Sequence, residues 1–251
     1  MIPKLFSRII KVSKINLEKE QKELYQNVAL LISEISDRQK VKEAFQASQR
    51  FTEFFYKLSL RYKELKEIEC EILSFSKSKR SLSEKQNNFV HKTEDFHQQL
   101  YATTSSFIKL LSHIAPQDFK RRMPSIKVSK FLDYLEKENK EIKDSIKIIK
   151  KSIEEYRVNY IDHINQNQSY DWYTLSILNK KKKKVYIVYF REKEKGGSFI
   201  NIANFVESQN KILTPFKVEN VFVPPHHIYV FENFILIIKK TLIFLNNLNH
   251  V

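Results

Sequence analysis

Residues 129–160 read SKFLDYLEKENKEIKDSIKIIKKSIEEYRVNY. Leu132, Leu135, Ile142, Ile146, Ile149, Ile153, Tyr156 and Tyr160 follow steps of three and four once Asn139, the one polar entry, is included. That stepping places them on one helical face. The face is narrow, close to a coiled-coil seam, and predicts a long helix packed against others. The remainder, with Glu136, Lys137, Lys140, Lys147, Lys150 and Lys151, reads as a solvated face.

Working outward towards the N-terminus, Leu24, Val28, Leu31, Ile32 and Ile35 mark a helix over 17–37 with Asn16 as its N-cap. A longer stripe follows in Phe51, Phe54, Phe55, Leu58, Tyr62, Leu65, Ile68 and Ile72. Ser74 to Ser83 is polar and basic and reads as a turn. Ser81 and Glu84 have capping-box spacing ahead of a third stripe, Phe89, Phe96, Leu100, Phe107, Leu111 and Ile114, which ends near Pro116. Residues 116–128, with Lys120-Arg121-Arg122, read as a basic connection.

Beyond Asn165 the texture changes. Tyr170–Leu178 and Val185–Arg191 are rich in aromatic and β-branched residues, and Gly196-Gly197 precede a third such run, Phe199–Ala203. These predict a three-stranded antiparallel meander with Lys180–Lys184 at one turn; Phe216–Val223 is a candidate fourth strand. Pro224-Pro225 then introduces a final helix, Ile228 to about Asn246. The expected fold is mainly α: one domain over 1–251, an antiparallel long-helix bundle over 17–165 and 226–248. A small antiparallel β-meander over 170–223 is inserted before the C-terminal helix.

Composition narrows the function classes. Only two glycines occur in 251 residues. Phosphate loops of the P-loop and Rossmann kinds, where backbone must approach phosphate, are therefore disfavoured. Cys70 is the single cysteine, so no disulfide or cysteine-based zinc site forms within one chain, as suits a reducing, cytoplasmic setting. Its acidic neighbours Glu69 and Glu71 oppose thiolate formation, favouring a structural role. The N-terminus lacks the apolar run of a secretory signal. The most apolar stretch, 228–245, carries Glu232, Asn233, Lys239 and Lys240, which predicts a buried or edge helix rather than a membrane span. A formal net charge of +15 attracts polyanions, nucleic acid among them.

The long helix ends in Glu155-Tyr156-Arg157-Val158-Asn159-Tyr160-Ile161-Asp162-His163. Arg157 and His163, separated by five residues near the end of a core helix, resemble the motif of the HEPN (higher eukaryotes and prokaryotes nucleotide-binding) superfamily. The resemblance implies a helical bundle and metal-independent endoribonuclease activity of a toxin or antiphage-defence type. It also implies Arg/His pairs meeting across a homodimer interface, with no cofactor. Val158 follows the arginine where that family commonly has a polar residue, and Asn159 comes one place later. Arginine's fork suits phosphate and histidine titrates near neutrality, so the pair has the chemistry for attack by a ribose 2′-hydroxyl. At about 100° per residue the two side chains sit roughly 120° apart on a regular helix. A shared phosphate then requires helix distortion or a second subunit.

Asn159 and Tyr160 are candidates to hold substrate, and Lys181 and Lys182 to contact RNA phosphates. Structural alternatives stand beside each: Arg157 pairing with Glu154 or Asp162, His163 as a helix-end residue, and the lysines as a solvated hairpin tip. Trp172 with Tyr170 and Tyr173 suits either base stacking or core packing. His91 and His97 lack the spacing that aligns two metal ligands on a helix, and His226-His227 reads as a capped loop, so no metal site is expected. The alternative function is a non-catalytic basic helical protein that binds nucleic acid or a protein partner.

Overall fold

The computed structural model describes residues 16–74, 79–123, 127–154 and 226–249, with the backbone of strands at 170–178, 184–192, 216–218 and 221–223. The helices are α1 (Leu17–Ser33), α2 (Arg38–Ser74), α3 (Lys79–Ile114), α4 (Gln117–Arg122), α5 (Val128–Glu138), α6 (Lys143–Lys150) and α7 (His227–Asn249). The strands are β1 (Tyr170–Leu178), β2 (Lys184–Glu192), β3 (Phe216–Val218) and β4 (Val221–Val223). By contact the chain divides into two compact units. Among the described residues, one comprises 61–97, 151–154, the strands and 226–230; the other comprises 16–60, 98–150 and 231–249.

The second of these units is wholly helical, and aromatic packing sets its core. Phe51 of α2 lies 5.9 Å from Phe55 and 5.4 Å from Phe107 of α3, measured between ring centres. Phe107 continues to Phe131 of α5 at 6.4 Å, and Phe55 to Phe231 of α7 at 6.1 Å. All five rings are buried, each contributing large apolar area and the tilted or offset geometry that aromatic pairs favour. Asn16 caps α1 as its side chain predicts, accepting from the Lys19 backbone N–H at 3.2 Å. Leu24, Val28 and Leu31 then face the core. The ammonium of Lys239 on α7 sits between Glu20 (2.8 Å) and Glu23 (2.5 Å) of α1. Gln99 Nε2 and Thr103 Oγ1 of α3 both donate to the Phe54 carbonyl of α2, at 3.1 and 3.2 Å.

The predicted seam is buried at Leu132, Leu135, Ile142, Ile146, Ile149 and Ile153, but it is not one helix. Asn139 ends α5 in an extended conformation, and its side chain accepts from the Glu141 N–H at 3.1 Å. A 3-10 turn over Lys140–Ile142 then leads into α6. A side-chain amide that bonds its own backbone competes with the helical ladder, which is why the polar entry in the seam is also its break. Lys150 binds Asp133 and Glu136 across that break, so it belongs to the packing of the two pieces and not to the solvated face. α3 also begins earlier than its sequence signal, at Lys79, leaving Ser81 and Glu84 inside the helix.

In the other unit, α2 and α3 run antiparallel. Glu64 pairs with Lys92 and Glu71 with Lys85, partners converging in number as antiparallel neighbours do. Between the helices Tyr62, Leu65, Ile72, Phe89, Val90 and Phe96 are buried.

The expected β-meander is not what the sheet shows. A meander joins strands in chain order, whereas the order here is β1-β2-β4-β3. β1 and β2 pair antiparallel from Tyr170↔Glu192 to Leu178↔Lys184. The far edge of β2 takes β4, through Phe190↔Phe222 and Arg191↔Val221, and not the run Phe199–Ala203, which lies outside the described residues. Phe216–Val223 is two strands paired with each other, where the sequence suggests one. Apolar and β-branched runs mark a strand, but nothing in them names its neighbour. The helical part of the class stands, and the meander is withdrawn. Among the described residues no helix is long and apolar enough to cross a membrane.

Two measurements test this core. Phe107→Ala removes the ring shared by α2 and α5, and is expected to lower unfolding free energy by about 3–5 kcal/mol in urea titration. A loss below about 1 kcal/mol contradicts the packing described. His97 is fully buried, and burial pushes its pKa down from 6.5 to about 3. An unfolded chain then takes up the proton first, so stability is complete above pH 6.5 and falls as pH drops towards 3. By pH 5 the loss from this group is about 2 kcal/mol. His97→Gln should flatten that slope between pH 7 and 5, and identical slopes in both proteins would place His97 in solvent.

Candidate functional site

Arg157, Asn159, Tyr160, His163, Lys181 and Lys182 all lie outside the described residues. What the structure does describe is the approach to Arg157. The seam stays buried to Ile153, and over 151–154 the backbone leaves α-helical bonding for the wider π form. Wide turns of this kind are found frequently at functional sites.

The described residues assemble a different cluster. On α2 the buried stripe steps from Tyr62 to Leu65, then by four to Glu69, then by three to Ile72. Glu69 therefore occupies an apolar position of the stripe and is 7 % exposed. Its Oε1 lies 2.8 Å from Nε2 of His226, and its Oε2 lies 3.6 Å from Nε2 of His227. One donor atom from each of the three residues falls within 4.8 Å of the others. The two imidazoles stand 4.1 Å apart between centres, with His227 as the first residue of α7. Tyr62 and Phe89 wall the His227 ring at 6.2 and 6.1 Å.

Among the described residues, Nε2 of His227 is buried and has no hydrogen-bond partner. The 3.6 Å separation from Glu69 is too long to serve as one. Burial drives the His227 pKa well below its ordinary value; His226 pushes it down further, Glu69 opposes this, and His97 and Lys66 add to the lowering. The imidazole is held neutral at physiological pH, with a lone pair available on one ring nitrogen.

Sequence reasoning takes His226-His227 for a capped loop and passes over Glu69. The signal was present in the stripe: a step of four from Leu65 lands on Glu69, whereas the sequence reading takes Ile68, which is only half-buried. Cys70, one residue further on, is exposed and so adds nothing to the core. His91 is largely exposed, with Nδ1 3.5 Å from Glu94.

No protein-family model matches the chain, and no curated protein or solved structure matches it either.

Proposed function

We propose that this chain is an RNA-directed protein of the HEPN kind, a metal-independent endoribonuclease whose Arg157 and His163 act in a homodimer. One observation carries the reading: an arginine and a histidine separated by five residues follow, in the sequence, a seam that is buried as far as Ile153. The wide turn over 151–154 supports it, because the chain enters the Arg157 segment with its helical phase already altered. The net charge of +15 suits a polyanionic substrate.

The chemistry follows from the two side chains. His163 takes the proton from a ribose 2′-hydroxyl, and the 2′-oxygen attacks the adjacent phosphorus. Arg157 stabilises the charge gathered on the phosphoryl oxygens. The P–O5′ bond breaks, a second imidazole protonates the leaving oxygen, and a 2′,3′-cyclic phosphate remains. Asn159 and Tyr160 hold the substrate, and Lys181 and Lys182 contact its phosphates. A toxin or defence role in the cytoplasm is the setting in which such an activity fits.

A second reading, binding of nucleic acid without cleavage, draws on the charge excess alone. Labelled RNA incubated with the protein in excess chelator separates the two. Cleavage should yield cyclic-phosphate ends, spare an all-deoxy oligonucleotide, and fall about 100-fold or more in Arg157→Ala and His163→Ala. Cleavage that requires added metal, or that survives both substitutions, removes the nuclease assignment. Salt-sensitive binding with no cleavage establishes the second reading.

A further inference from the structure

We infer that Glu69, His226 and His227 form a binding site for a first-row divalent cation of the zinc type. The donor set is two imidazole nitrogens and one carboxylate oxygen, a combination that borderline cations prefer and that hard ions such as magnesium do not. In tetrahedral coordination with bonds of about 2.0–2.2 Å, ligand atoms stand about 3.4 Å apart. Glu69 Oε1 is 2.8 Å from His226 and Glu69 Oε2 is 3.6 Å from His227; with one donor atom per residue the three lie within 4.8 Å of one another, so side-chain rotation has to draw them to that spacing.

Burial supplies the second argument. Glu69 stands in an otherwise apolar stripe, where a carboxylate is costly without compensation. His227 presents a buried Nε2 with no hydrogen-bond partner among the described residues, facing the Glu69 carboxylate. The His226 side chain is 10 % exposed, which leaves the cation an edge at which water completes the shell. The positive end of α7 and the nearby Lys66 oppose a cation there, while the Glu69 charge favours it.

The competing arrangement is a plain ion pair, Glu69 with protonated His226, and it needs no metal. The two make different measurements. Full-length protein, stripped with chelator and freed of any histidine tag, is titrated with zinc against a chromophoric competitor. The site predicts one tight equivalent per chain, a rise in Tm, and tetrahedral-strength visible absorption when cobalt(II) replaces zinc. Substituting residues that merely orient metal ligands costs about 10–100-fold in affinity, so Glu69→Gln and His226→Gln, at ligands themselves, should cost about 100-fold or more. His226 is at the edge of the cluster, so His226→Gln keeps the test open if changes at His227 prevent folding. Wild type and both variants binding zinc equally, or the wild type not binding at all, overturns the site. The RNA-cleavage proposal is untouched by either result, because its assay runs in chelator.

Discussion

A chain of five phenylalanine rings, Phe231–Phe55–Phe51–Phe107–Phe131, is the contact on which the helical unit depends. It joins α7, α2, α3 and α5, elements far apart in sequence, and each ring fixes the rotation of its helix about its own axis. Once α2 is held by Phe51 and Phe55, the polar groups on its flanks have set neighbours. The Phe54 carbonyl, for example, meets Gln99 and Thr103. These hydrogen bonds are individually modest, about 1 kcal/mol each. They select register, and the aromatic burial supplies most of the energy.

Long unbroken helices were legible because α2 and α3 contain neither glycine nor proline and keep their apolar residues at helical spacing. The seam from Leu132 to Ile153 was legible for the same reason, and so was the cap at Asn16. The break at Asn139 was not, although the residue was visible as the one polar entry. Whether an asparagine in a seam packs against a partner helix or turns back on its own backbone depends on the surroundings, which periodicity does not report. Strand order failed on similar grounds: the pairing of β2 with β4 is a long-range choice, and local apolar runs carry no information about it. Glu69 was hidden by its charge. A carboxylate is read as solvated by default, and only the buried neighbours at three and four residues on either side reveal otherwise.

Charge pairing within the fold bears on what a basic surface is for. Lys239 is committed to Glu20 and Glu23, Lys150 to Asp133 and Glu136, Lys92 to Glu64, and Lys240 to Glu141. With 44 lysines and arginines against 29 acidic residues, the formal surplus is basic, +15. Intramolecular pairing cannot neutralise it. Basic side chains that neutralise the phosphates of a nucleic acid release the cations condensed on it, and that release is a gain in entropy. That gain is indifferent to sequence and to cleavage, so a charge excess by itself favours any polyanion and specifies no chemistry.

The Glu69 cluster poses the opposite problem, of negative charge where water is scarce. Apolar side chains of similar size at such a position are often as stable as a buried ion pair or more so. Stability alone therefore does not account for a carboxylate between Leu65 and Ile72, faced by two adjacent imidazoles. Protonated His226 would balance one charge with one and leave Nε2 of His227 unused. A divalent cation engages all three donors and converts that buried nitrogen from a cost into a bond. On this reasoning the same three side chains leave one buried nitrogen unpartnered among the described residues without the ion and engage all three donors with it.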